Sequence, residues 1–220
     1  MDYEAYVITI MDNERSVQAA NRCIRTAKNA GGIDVTMYPA ITPKDDPRSI
    51  MLERNINLEA FEEKYSRTLN CMAAFLSHYS LWEKAAVSGK TTIIFEHDAY
   101  ITGEIPYYKP FTGCATFSTP SYGKFATPRH FGAGPLVQKP YFGGAHGYMI
   151  NSTGAWSLIE TAQGRAAPTD VYLNKMNFPW IQEFYPWVCE ARDDFTTIQR
   201  VEGCTAKHRY DESYRIENVK

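Results

Sequence analysis

Glu96 and Asp98 stand two residues apart, with His97 between them, directly after the apolar run Thr91 to Phe95 in "TTIIFEHDAY". Burying such groups unpaired costs several kcal/mol, so they belong at the mouth of a strand, facing something. On a strand that continues through Asp98 the two carboxylates point to the same side. There they repel unless a cation or a proton lies between them. A hard divalent ion carrying a phosphorylated substrate answers that repulsion, because Mg2+ or Mn2+ takes one or two carboxylates and completes its shell with phosphate oxygens. A strand-end acid pair held by nearby lysines is the plainer alternative.

The elements that position this group can be read on either side of it. "AYVITIM", Ala5 to Met11, is a short continuous apolar run, as expected of a strand covered on both faces. Asp12 and Asn13 can cap the helix that follows, whose apolar spacing at Val17, Ala20 and Ile24 stops at Gly31-Gly32. "IDVTMYPAI" is a second strand, so the chain opens as strand–helix–strand, the signature of a parallel pair. Asp45 to Lys64 reads as a surface excursion with a short helix. Asn70 to Ser88 is a long helix with Phe75, Tyr79 and Trp82 on one face, and it feeds the acid-tipped strand. Strands follow at "GCATFST" and "HGYMI". A helix capped by Asn151 or Ser152 runs to Ala162, and Pro168 opens one more at its first position. This pattern predicts one α/β domain over residues 1–220, with its ligand at the carboxyl ends of parallel strands. The Gly/Pro/aromatic region at about 105–144 is too long for a bare connector, which marks it as functional.

Composition sets outer bounds. With 220 residues the chain can bury a substantial core, and a formal net charge of −2 argues against coating nucleic acid or membrane with the whole surface. Five scattered cysteines form no C-x-x-C pair, so the expectation is reduced thiols in a cytosol, bacterial or of a virus-infected host cell. Acids at Asp2 and Glu4 do not suit a signal peptide, and no apolar run approaches the ~20 residues of a membrane helix. No membrane insertion and no obligate protein partner are expected.

The order of these pieces resembles glycosyltransferase family 25, the group of lipopolysaccharide and procollagen galactosyltransferases. The stretches that carry the resemblance are "YVITIMDNERSV", "AAFLSHYSLWEKAAVSGKTTIIFEHDA", "GGAHGYMINSTGAWSLI", "APTDVYL" and "FYPWVCEARDDFTTI". The resemblance implies a GT-A fold, a Rossmann-like α/β architecture with a mostly parallel central sheet flanked by helices. It also implies a nucleotide-sugar donor, UDP-linked above all, a Mn2+ or Mg2+ cofactor, and inversion at the anomeric carbon. Two departures stand out. His97 occupies the middle of the family's three-acid motif, and Ala73-Ala74 replace a glycine-cysteine ahead of Ser77-His78.

Under that resemblance each candidate takes a role. Asp98 is the first expected metal ligand. Glu96 is the second, or instead holds hydroxyls of the donor. His208 in "TAKHRY" is a candidate late ligand, or a tail residue. The backbone of Thr9, Ile10 and Met11 lines the base pocket, and Arg15 reaches the diphosphate or stays in solvent. Ser77 and His78 contact the donor, or His78 is a satisfied core histidine. Asp170 in "PTDVYL" is the base that takes the acceptor hydroxyl's proton, or an acid complementing a helix dipole. Gly144 and His146 in "GGAHGY" face substrate, since glycines permit close approach.

Between Glu104 and Glu160 there is no Asp or Glu, while Lys109, Lys124, Arg129 and Lys139 and eleven aromatic residues fall in the same stretch. Some of these aromatics, such as Phe117 and Tyr148, are expected in the core. The rest would form a basic aromatic rim for an acceptor, with Lys124 and Arg129 prominent. A glycan or a hydroxylated base in DNA, with negative charge, would suit it. The expected function is therefore metal-dependent sugar transfer to a hydroxyl. A sugar-nucleotide-binding pseudoenzyme and a nucleotidyltransferase are the rival readings.

Overall fold

The structure is a computed structural model that describes residues 2–61, 67–121, 123–192 and 197–198. The chain opens with β1 (Tyr3–Thr9), α1 (Glu14–Thr26), β2 (Thr36–Pro39), α2 (Pro47–Glu53), α3 (Thr68–Ser88) and β3 (Thr91–Glu96). It continues with β4 (Ala99–Ile101), β5 (Cys114–Thr116), β6 (Gly132–Pro135), β7 (Gly147–Ile150), α4 (Ser152–Arg165), α5 (Thr169–Tyr172), β8 (Gln182–Tyr185) and β9 (Cys189–Ala191). Among the described residues, seven strands form one sheet in the order β2-β1-β3-β7-β5-β8-β6, and β4 with β9 forms a separate ribbon. β2, β1 and β3 are mutually parallel, as are β5 and β8, and all five run one way, while β7 and β6 run against them. The sheet is thus mostly parallel and flanked by helices. None of the described helices is long and apolar enough to cross a membrane.

The period-2 alternation of β3 divides the core in two. Ile94 faces the larger cluster, built on α3 with Phe75, Trp82, Tyr148 and Tyr172, while Ile93 and Phe95 face the cluster around Ala20, Cys23 and Met149. Glu96 continues the Ile94 face and so points toward α3. α3 ends where Gly89 turns left-handed at φ 68°, which lets the chain reverse into β3 alongside β1, with Ile8 opposite Glu96.

Several boundaries depart from the sequence reading for identifiable reasons. β3 does not continue through Asp98. It stops at Glu96, and His97-Asp98 form a turn into the ribbon. Pro168 precedes the helical residues at the N-cap rather than occupying their first position. The excursion after Asp45 is anchored, because Met51 and Phe61 are fully buried. The 105–144 region contributes β6 to the sheet edge. There the fully buried Glu183 of β8 collects four donors. The Val137 and Gln138 amides donate to Oε1 at 2.5 and 2.9 Å, and Gln138 Nε2 and Trp187 Nε1 donate to Oε2, both at 3.0 Å.

That arrangement makes Glu183→Gln a sensitive substitution, since either orientation of the new amide turns its NH2 toward N–H donors. Each buried donor left unsatisfied costs about 1–3 kcal/mol, so urea unfolding should show a loss of at least that size. An unchanged midpoint would mean the loop is held by other contacts.

Candidate functional site

Three segments meet at the carboxyl end of β3. Asn13 caps α1 by accepting from the Ser16 amide at 3.1 Å, and Ser16 Oγ in turn accepts from the Ile10 amide at 2.9 Å. His97 turns toward this junction, with Nδ1 3.1 Å from Ser16 Oγ. On the opposite side, Ser77 Oγ accepts from the Ile41 amide at 2.9 Å and donates to the Ala73 carbonyl at 2.8 Å, tying α3 to the segment after β2. The result is a cleft of about 460 Å³, lined by the β1–α1 loop, residues 40–44, one face of α3, and Glu96, His97 and Asp98. The small Ala73 and Ala74 are part of that helix face, where larger side chains would intrude.

Glu96 is held by a relay that begins in the core. Trp82 Nε1, which can only donate, reaches Tyr148 Oη at 2.8 Å, and Tyr148 Oη lies 2.9 Å from His78 Nδ1. In the neutral imidazole the tyrosine proton goes to Nδ1, which leaves Nε2–H to donate to Glu96 Oε1 at 3.2 Å. Burial pushes the Glu96 carboxyl up. The His78 hydrogen bond, with the fields that His78, His146 and His97 exert when protonated, outweighs it, so the group lies below its ordinary value. With a third of its side-chain surface still exposed (33%), Glu96 is an oriented carboxylate at neutral pH. Asp98 lines the same cleft, and its main-chain carbonyl takes Arg22 Nη2 at 3.4 Å and the Arg192 amide at 3.1 Å.

The fit to a divalent ion rests on this donor set. Glu96 opens on the cleft and Asp98 lines it with Oδ1 buried, its charge also reaching the core thiols of Cys23 and Cys189. A hard cation takes one or two such carboxylates when phosphate oxygens complete its shell. Among the described residues no group of three or more His, Cys, Asp or Glu is arranged to hold a metal ion alone, so Glu96 and Asp98 would hold one together with a phosphorylated ligand. His208 lies outside the described residues.

The other candidates fall into three groups. Ile10, Ser77 and His78 line the cleft with the acids. Thr9 is fully buried with its hydroxyl on the Val7 carbonyl, while Met11 and Arg15 are exposed and are not cleft-lining residues. His146 is buried at 1% exposure, and its carbonyl accepts from the Glu96 amide at 3.3 Å. Gly144, at φ 113°, leaves its space to His146 and Ser121, whose atoms would stand 2.6 Å from a Cβ placed there. Asp170 lies off the cleft, where its field reaches Lys139. Lys124 and Arg129 are exposed.

Sequence reasoning missed one cleft pair. Lys44, in the turn after β2, is the lone Lys or Arg among the described cleft-lining residues, and it bonds Asp12 on the facing lip. A basic residue shortly past an expected strand end is the signal that points to it.

Residues 3–111 match the family model "Glycosyltransferase family 25 (LPS biosynthesis protein)". No curated protein matches the chain. Among solved structures, the glycosyltransferase GlyE of Streptococcus pneumoniae TIGR4 in its apo form is similar, with TM-score 0.43 and 12% identity over 84% of this chain and 45% of GlyE. The chain therefore spans less than half the length of that protein. The CTP:phosphocholine cytidylyltransferase LicC of Streptococcus pneumoniae is similar at TM-score 0.38 and 10% identity, over 86% of this chain and 92% of LicC.

Proposed function

We propose, from the match of residues 3–111 to the model of glycosyltransferase family 25, that the chain transfers a sugar from a nucleoside-diphosphate donor, UDP-linked above all, to a hydroxyl on an acceptor. The observation that carries this reading is the oriented Glu96 carboxylate beside Asp98, at the carboxyl end of a parallel strand and open to a donor-sized cleft. Ligands of open α/β sheets sit at that end.

In this reading the cleft takes the nucleotide between the β1–α1 loop and residues 40–44, with its diphosphate toward Glu96 and Asp98. Those carboxylates would hold a Mn2+ or Mg2+ ion, which would supply charge neutralisation for the departing diphosphate. His78 acts as a positioning residue, because its bonds to Tyr148 and Glu96 fix where the carboxylate points. Asp170 takes the proton from the acceptor hydroxyl as that oxygen attacks the anomeric carbon. Acceptor contacts fall to the basic, acid-free region, with Lys124, Arg129, Gly144 and His146 on that side. A glycan bearing negative charge suits that region better than a neutral one.

Lys44 offers a test of the diphosphate's position. Asp12 holds its ammonium and raises its pKa, and exposed pairs of this kind are weak enough to exchange partners. A diphosphate in the cleft competes with Asp12 for Lys44. Lys44→Ala should therefore weaken UDP binding about tenfold, whereas Asp12→Asn should strengthen it. Calorimetry with Mn2+ present reads both, and a loss in both variants would mean the pair is structural. The reading as a whole is tested by thermal shift against a panel of sugar nucleotides with Mn2+. A ligand at 100 times its Kd adds about 2.7 kcal/mol, and no shift across the panel would count against a donor site.

A further inference from the structure

A second opening lies apart from the Glu96 cleft. It is a groove of about 500 Å³ carrying Lys124, Lys139 and Lys175 beside Phe125, Val137 and Met176. The volume is that of a small-molecule site rather than a track for a polymer. Its three walls are pinned side by side by the backbone. The Ala126 amide donates to the Gln138 carbonyl at 3.0 Å, and the Lys175 amide donates to the Pro140 carbonyl at 2.8 Å. Gln138 itself is fastened from below by Glu183. The groove is therefore formed before any ligand arrives, and little ordering entropy is left to spend on binding.

Its chemistry is one-sided. No carboxylate is among the described lining residues. Lys124 and Lys175 present exposed ammoniums, while Lys139 keeps only 8% of its surface in solvent. Burial pushes the Lys139 ammonium below its ordinary value, against the field of Asp170, the acid that approaches it. Phe125 at 46% exposure and Met176 at 89% lay apolar surface open beside these cations. Single exposed apolar residues are ordinary, but here they share a preformed groove with three lysines. Such a groove suits a ligand with an anionic group at one end and a sugar ring face at the other.

The chain that walls the groove runs on to the edge of the cleft. Lys139 packs against Gly143, where a Cβ would lie 3.2 Å from its Cδ, and the same segment ends at His146, whose carbonyl holds the Glu96 amide. Lys139 feels Asp170 as well, so the groove adjoins the residue assigned as the base. Resting on the glycosyltransferase reading, we propose that this groove is the acceptor subsite for a phosphorylated sugar, with Lys124 and Lys175 binding the phosphate and Phe125 and Met176 stacking the ring.

The experiment is a calorimetric titration of glucose 6-phosphate into protein saturated with UDP and Mn2+, with glucose and inorganic phosphate as parallel probes. Glucose 6-phosphate should bind, glucose should not, and affinity should fall as salt rises. The Lys124→Ala/Lys175→Ala double variant should bind glucose 6-phosphate at least tenfold more weakly, with UDP affinity unchanged. Equal affinity in the variant, displacement of the sugar phosphate by UDP, or no binding of either phosphate probe would overturn the proposal. Tighter binding of a short single-stranded oligonucleotide that competes with glucose 6-phosphate would overturn it in favour of nucleic acid. Failure of the wild type to bind UDP at all would instead strike the donor reading, independently of the groove.

Discussion

Replacing Asp98 with asparagine should abolish Mn2+-dependent binding of UDP while leaving the protein folded. The fold should survive because main-chain bonds anchor this turn, the Asp98 carbonyl accepting from Arg22 and from the Arg192 amide. Asparagine keeps both. What it loses is the negative charge of a cleft-lining residue, one of the two carboxylates proposed to hold a hard cation beside phosphate oxygens. Glu96→Gln should be milder in binding, since Asp98 and the phosphates remain. It also leaves His78 with an amide oxygen to bond, provided the new side chain keeps the same orientation. Calorimetry of UDP with and without Mn2+ separates the two effects. Unchanged affinity in the Asp98 variant would remove it from the proposed metal site.

Much of that site is legible in the amino-acid sequence. An apolar β-branched run ending on an acid pair puts Glu96 at a strand mouth, and the period-2 rule assigns it a face. The turn at His97-Asp98 is not legible there. It depends on β4 leaving the main sheet to pair with β9, which lies about ninety residues further along the chain. Nor does the sequence separate the two readings of His78. In the structure His78 is buried at 1% exposure and satisfied by Tyr148 and Glu96, so that it orients the carboxylate. Gly143 and Gly144 suggest room for a ligand, but the room is taken by Pro120, Ser121 and His146. A glycine's spacing says that something comes close and leaves open what. The mostly parallel sheet follows from the strand–helix–strand opening. The antiparallel β7 at its centre leaves no local trace in "HGYMI", since any buried strand has the same composition whichever way it runs.

Asp170→Asn should lower turnover by about 10²–10⁴-fold with donor affinity nearly unchanged. The reason lies in where Asp170 sits. It is off the cleft proposed for the nucleotide and beside Lys139, on the side assigned to the acceptor. The proposal puts the base there, because in the inverting displacement it assumes the attacking hydroxyl approaches opposite the departing diphosphate. Its local bond, Oδ1 accepting from the Val171 amide at 2.9 Å, survives in asparagine, so the helix start is preserved. A purely dipole-complementing aspartate would cost about 0.3–1 kcal/mol of stability and nothing in rate. Single-turnover kinetics together with UDP titration distinguish these roles. Collapse of donor affinity with normal turnover of the remaining complex would make Asp170 a binding residue.

The most direct measurement of the central claim is the product released from the donor. The protein is incubated with Mn2+ and a panel of nucleoside-diphosphate sugars, and the small molecules are resolved by mass spectrometry. The account predicts a nucleoside diphosphate together with free or transferred sugar, absent in the Asp98→Asn variant. Pyrophosphate formed from a nucleoside triphosphate and a sugar 1-phosphate, with no diphosphate released from any sugar nucleotide, would contradict it.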